Sequence, residues 1–136
     1  MAEFLSGRAD ASRLTAAIAE RIAGRGLGLT PSGDDLLTGM MHAITVWPRL
    51  AGEMGAAGVR RLMADAARPH TARISGAYLD AAAAGLASDP WHDLMQSVGT
   101  SHATIRAAVR RVLEVGETSG ADALTGFCWA WRRLAE

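Results

Sequence analysis

The chain has 136 residues, 14 basic and 14 acidic side chains, and one cysteine. This length suits one domain, 1–136, able to hide about two-thirds of its unfolded surface, and the balanced charge speaks against capture of nucleic acid or an acidic membrane surface. A lone Cys128 excludes an internal disulfide and fits a reducing compartment. The longest apolar stretch, Leu36 to Trp47, is broken by polar residues and falls short of the roughly 20 residues a membrane span needs. With no basic-then-apolar leader visible, a soluble cytoplasmic protein is expected.

Alanine is abundant, and β-branched and aromatic residues are sparse, which favours helix over sheet. Seven helices are predicted. The first runs from about Ala11 to Ala23 on a stripe of Leu14, Ala17, Ile18 and Ile22, and ends at the glycine loop 24–28. The second starts near Gly33 and stops before Pro48. The third spans about Leu50 to Ala67, with Gly52, Gly55 and Gly58 weakening its start. The fourth covers Thr71 to Ala84 and closes on Gly85. The fifth begins at Ser88-Asp89-Pro90, with proline at the first helical position, and ends near Gly99. Ser101 caps the sixth, whose face is Ile105, Val109, Val112 and Leu113. The seventh runs from Gly120 to about Leu134. No strand candidate and no linker remain. The expected fold is a compact all-α bundle in which helices two and seven, apolar on nearly every face, form the buried centre.

One phrase occurs twice. Ser32-Gly33-Asp34-Asp35-Leu36-Leu37-Thr38-Gly39 returns as Ser119-Gly120-Ala121-Asp122-Ala123-Leu124-Thr125-Gly126, identical at six of eight positions. Ser-x-x-Asp ahead of an apolar run is a capping-box pattern, and this accounts for Ser32 with Asp35 and Ser119 with Asp122. It leaves Asp34 unexplained, along with the hydroxyls of Thr30 and Thr118 and the long glycine loop that includes Gly28. A helix start with free N–H groups and nearby glycines is an anion site. Gly28, Thr30, Ser32, Gly33, Thr118, Ser119, Gly120 and Asp122 are therefore candidate ligand-binding residues, and Asp34 and Asp35 candidate catalytic ones. The two acids also suit a hard cation such as Mg²⁺. Gly39 and Gly126 sit mid-helix, where glycine costs about 1 kcal/mol against alanine. Close backbone approach would offset this, so helices two and seven are expected to cross at these glycines about a local two-fold, with both Ser-Gly loops facing one pocket.

Arg73, among Arg68, His70, Thr71 and Ser75 at the start of helix four, is the candidate partner for a carboxylate or phosphate. His42 shares a polar stripe with Asp35, Thr38 and Thr45. Cys128, between Phe127 and Trp129, reads as a core thiol, and Trp91, Trp129 and Trp131 as core or interface residues. No His/Cys cluster has zinc spacing.

Three segments together carry a family resemblance: Gly28-Leu29-Thr30-Pro31-Ser32-Gly33-Asp34-Asp35 with Gly39, then Thr71-Ala72-Arg73-Ile74-Ser75, then Gly116-Glu117-Thr118-Ser119-Gly120-Ala121-Asp122 with Gly126. In this order they resemble the AllH-like family of oxamate carbamoyltransferase subunits, over about 22–135. The resemblance implies a subunit of a multi-protein enzyme of allantoin and purine breakdown. That enzyme interconverts oxalurate and phosphate with oxamate and carbamoyl phosphate. It implies small anionic ligands (carbamoyl phosphate, oxamate or phosphate) and other protein subunits as partners. Read from the residues alone, a Mg-nucleotide or phosphotransfer domain and a non-catalytic helical interaction module remain open.

Overall fold

The computed structural model describes residues 2–135, with side chains described for 12–49 and 51–132. Seven α-helices follow one another: α1 Ala2–Ile22, α2 Ser32–Val46, α3 Gly55–Ala67, α4 Arg73–Ala83, α5 Asp89–Ser97, α6 His102–Leu113 and α7 Ser119–Ala135. Short 3-10 segments at Pro48–Met54 and Arg68–His70 flank α3, and there is no strand among the described residues.

α2 is the wall between two cores. On one side Leu37, Met41 and Ile44 pack with Ala19, Ala23, Met63, Ala67 and Leu79 from α1, α3 and α4. On the other, Ala43 joins Trp91, Leu94, Val112, Ala123 and Phe127 from α5, α6 and α7. Leu37 and Met41 are fully buried, and burial of each such side chain contributes roughly 2–3 kcal/mol.

The most extensive helix pairing is α2 on α7. It is reciprocal. A Cβ on Gly39 would collide with the carbonyl oxygen of Ala123, and a Cβ on Gly126 would collide with that of Leu36. Leu36 and Ala123 are themselves equivalent positions of the repeated phrase, so the crossing obeys the predicted local two-fold. The mid-helix glycines are there because two backbones touch.

Several boundaries and faces differ from expectation. α1 begins at Ala2 rather than Ala11, because the residues before Ala11 hold no proline and mostly favour helix. Its buried face is Ala19 and Ala23, while Leu14 is 63% exposed: small residues let α1 lie close to α3, and the larger side chain is left outside. The third helix starts at Gly55, because Gly52 (φ 56°, ψ −144°) and Gly55 (φ 75°) break the chain after the 3-10 segment. α4 starts at Arg73, after a separate turn at Arg68–His70. α6 is capped as expected, with the Thr104 N–H donating to Ser101 Oγ at 3.2 Å, but Leu113 lies outside its buried face. α7 is not buried all round. Its Ala123, Gly126, Phe127 and Ala130 face the core, and Thr125, Cys128, Trp129 and Arg132 are exposed. Cys128 is thus a surface thiol, not a core one; one residue past Phe127, it points away from α2.

Gly39→Ala and Gly126→Ala should each destabilise the fold by about 3 kcal/mol or more, because the added methyl meets a backbone carbonyl that no rotamer change can move. Gly58, in the first turn of α3, would meet Cγ of the exposed Met54 side chain at 2.8 Å, which a change of Met54 rotamer can relieve. Gly58→Ala should be neutral or stabilising by up to about 1 kcal/mol. Urea denaturation checks both; an unchanged midpoint for Gly39→Ala would refute the close crossing.

Candidate functional site

The two copies of the repeated phrase begin alike. Gly33 lies against the carbonyl of Ile22 at the end of α1, and Gly120 against that of Val112 at the end of α6, each without room for a Cβ. The Gly33 N–H donates to Arg25 O at 2.8 Å, and the Gly120 N–H to Val115 O at 3.0 Å. The Asp34 and Asp35 amides donate to Pro31 O, and the Asp122 amide to Thr118 O. These first-turn amides, expected to be free for an anion, are therefore taken by loop carbonyls. The expected capping box is also absent at α2, which has no side-chain cap. Ser119 Oγ instead meets Thr30 Oγ1 at 3.0 Å, a bond spanning 89 residues of chain that joins one loop to the other.

The adjacent acids of the first copy have separate environments. Asp34 is 2% exposed. Its carboxylate accepts from the Gly24 N–H at 2.8 Å, from Ser75 Oγ at 2.6 Å and from the Thr71 hydroxyl. It ties the glycine loop to the start of α4, which explains why both segments accompany the phrase. Asp35 points the other way, toward α7. Burial pushes its carboxyl up from 3.8 to about 6; the Ser119 and Thr30 hydroxyls beside it oppose the rise, and the charges of Asp122 and Asp34 add to it. Asp122 is its equivalent in the second copy. Asp35 Oδ2 and Asp122 Oδ2 are both buried, and neither has a hydrogen-bond partner among the described residues. Two buried acceptors without donors are an expensive arrangement, and polar groups left this way gather at functional sites.

Asp35 opens onto a cavity of about 500 Å³ between α2, α4, α5 and the start of α7. Thr30, Asp35, Thr38, Ser119 and Gly120 line its polar end; Tyr78, Leu86, Trp91 and several alanines line the rest. His42 also lines it and is 3% exposed. Its ring packs on Trp91 with centroids 4.8 Å apart. Burial, reinforced by the charge of Arg60, pushes its pKa down to about 4, so the imidazole is neutral near pH 7. Arg60 does not line the cavity; its Nε donates to Ala83 O at 3.2 Å.

The structure thus gathers Thr30, Asp35, Ser119 and Gly120 on one cavity, with Asp122 close enough for its charge to reach Asp35. It places Gly28 in the exposed loop, Gly33 against α1, Arg73 and Thr118 on the exposed surface, and Ser32 and Asp34 outside the lining. Tyr78, Leu86 and the role of Trp91 were missed. Helical spacing held a partial signal: Asp35, Thr38 and His42 form one stripe, and that stripe faces the cavity. Among the described residues no three His, Cys, Asp or Glu side chains are placed to hold a metal ion, and no helix is long and apolar enough to cross a membrane.

Fold and site together define a small all-helical domain whose cavity ends in hydroxyls and a raised-pKa carboxyl at a pseudo-symmetric helix crossing. Residues 22–131 match the family model described as oxamate carbamoyltransferase subunit AllH, and the chain belongs to that family. No solved structure matches it.

Asp34→Ala should destabilise the protein by about 3 kcal/mol, since three donors lose a charged acceptor, and should speed tryptic cleavage at Arg25. Asp35→Asn should act in the opposite sense. The folded pKa of about 6 lies above 3.8, so the acid favours folding below pH 3.8 and loses that contribution as pH rises through 6. The variant should melt above the parent at pH 7.5, with the gap closing by about pH 4; thermal melts across this range check it, and a gap that does not vary with pH would contradict it.

Proposed function

We propose that this protein is a subunit of an oxamate carbamoyltransferase-type enzyme of allantoin breakdown, interconverting oxalurate and phosphate with oxamate and carbamoyl phosphate alongside other protein subunits. Its α2–α7 cavity is where it meets substrate. The observation that carries this reading is the convergence of both copies of the repeated phrase on one cavity, in a chain of this family. Thr30 and Ser119 are hydrogen-bonded to each other at its polar end, and both hydroxyls lie beside Asp35 there.

The chemistry suits the side chains. In the phosphorolytic direction an oxygen of phosphate attacks the carbamoyl carbon of oxalurate. A C–O bond forms, the C–N bond to the departing oxamate nitrogen breaks, and that nitrogen takes a proton. A carboxyl with a pKa of about 6 can give that proton and recover it in the reverse reaction. Hydroxyls and a neutral imidazole can donate to the carbonyl oxygen as it gains charge. The phosphate and the oxamate carboxylate need cations. Arg73 on the surface of α4 and the companion subunits are where this reading places them.

The test is the reconstituted multi-subunit enzyme. Asp35→Asn in this subunit should lower kcat at least 100-fold with assembly unchanged. Glu117→Gln, an exposed change outside the cavity, should leave kcat as it was. Full activity in the assembled Asp35→Asn enzyme would remove the cavity from the reaction.

A further inference from the structure

We infer that the polar end of the α2–α7 cavity is a receptor for an uncharged N–H-bearing group, a primary amide or ureide with a flat or apolar body, and takes it in preference to an anion. This deepens the reading above, on which it rests for the reaction but not for the binding.

Three observations lead to it. First, the polar end of the cavity is rich in acceptors. Asp35 lines it with a carboxylate, the Asp122 charge acts on that carboxylate from behind, and the buried Oδ2 of each lacks a donor among the described residues. An anion placed there would face two negative groups. Second, no lysine or arginine lines the cavity; the buried Arg60 behind it, whose charge reaches His42, donates its Nε to Ala83 O. The amides that sequence reasoning assigned to an anion already donate to Arg25 O and Val115 O. Third, His42 is buried to 3% exposure and lines the cavity with no hydrogen bond to its ring among the described residues. A neutral imidazole presents one donor and one acceptor, a pairing that serves an amide or urea and wastes half its capacity on an anion.

The shape agrees. A cavity of about 500 Å³ is in the range of small-molecule sites, which are mostly apolar with a few convergent polar groups. Trp91 and Tyr78 supply flat walls for a planar group, while Asp35 accepts its N–H bonds and Thr38 or Ser119 donates to its carbonyl. In the carbamoyl-transfer reading this is the H₂N–CO– end of oxalurate, and the ionised end stays outside.

Matched probes of one shape and different charge decide it. Phenylurea and phenyl phosphate are titrated separately into the full chain at pH 7.5, with ¹H–¹⁵N NMR shifts as the readout. Phenylurea should bind saturably, shifting resonances of α2 and the first turn of α7. Asp35→Asn should weaken it at least tenfold, and Ser119→Ala should weaken it less. Phenyl phosphate should give no saturable shift there. Saturable binding of phenyl phosphate at this cavity, or phenylurea binding that ignores both substitutions, would overturn the inference. Neither result touches the reconstituted-enzyme assay, so the subunit's part in carbamoyl transfer stands or falls separately.

Discussion

The structure depends on one contact: the backbone of α2 against the backbone of α7, at Gly39 on Ala123 and Gly126 on Leu36. Hydrophobic burial is non-directional and would accept many crossings. Two glycines placed reciprocally accept one, because each fixes where the other helix's carbonyl lies. Once that crossing is set, the first turns of the two helices must lie side by side. Thr30 then reaches Ser119, and Asp35 faces the charge of Asp122. The site is a consequence of the crossing, not an addition to it.

The pseudo-symmetry is broken where the chemistry is. Offset by the length of the repeat, Thr38 corresponds to Thr125 and His42 to Trp129. Thr38 and His42 line the half-open cavity, whereas Thr125 and Trp129 are exposed. α4 and α5 roof the first side only. Asp34 appears in the first copy alone for a related reason: only that copy has a glycine loop and a helix start to fasten, through Gly24, Thr71 and Ser75. The second copy has Ala121 there, on the surface. An open second side with Cys128, Trp129 and Arg132 exposed agrees with a chain whose family is described as an enzyme subunit.

Much of this was legible in the residues. Helix number and order followed from glycine, proline and serine punctuation. The repeat gave the crossing, because mid-helix glycine needs a reason and the same reason twice implies a two-fold. Face assignment failed where size misled: Leu14 looked like core and Ala19 like filler, yet close helix approach favours the small residue. The capping pattern failed because Ser-x-x-Asp specifies donors and acceptors but not which of them tertiary structure will recruit. Ser119 found Thr30, 89 residues away, instead of its own amide. The expectation of free Gly33 and Gly120 amides failed for the same reason: carbonyls of Arg25 and Val115 reach the helix starts through loops whose paths no local pattern encodes. The cavity walls, Tyr78 and Leu86, were illegible because an apolar side chain beside a void looks like any other in sequence.

Asp35 senses Asp122 across the crossing only if the two helix starts share a site. A ¹³C NMR titration of the aspartate carboxyl carbons measures this directly. Asp35 should titrate near pH 6, raised chiefly by burial, and move down by a small part of that rise when Asp122 is replaced by asparagine, as the loss of a neighbouring charge requires. An Asp35 resonance titrating near 4, unmoved by that substitution, would mean that the two helix starts do not share a site.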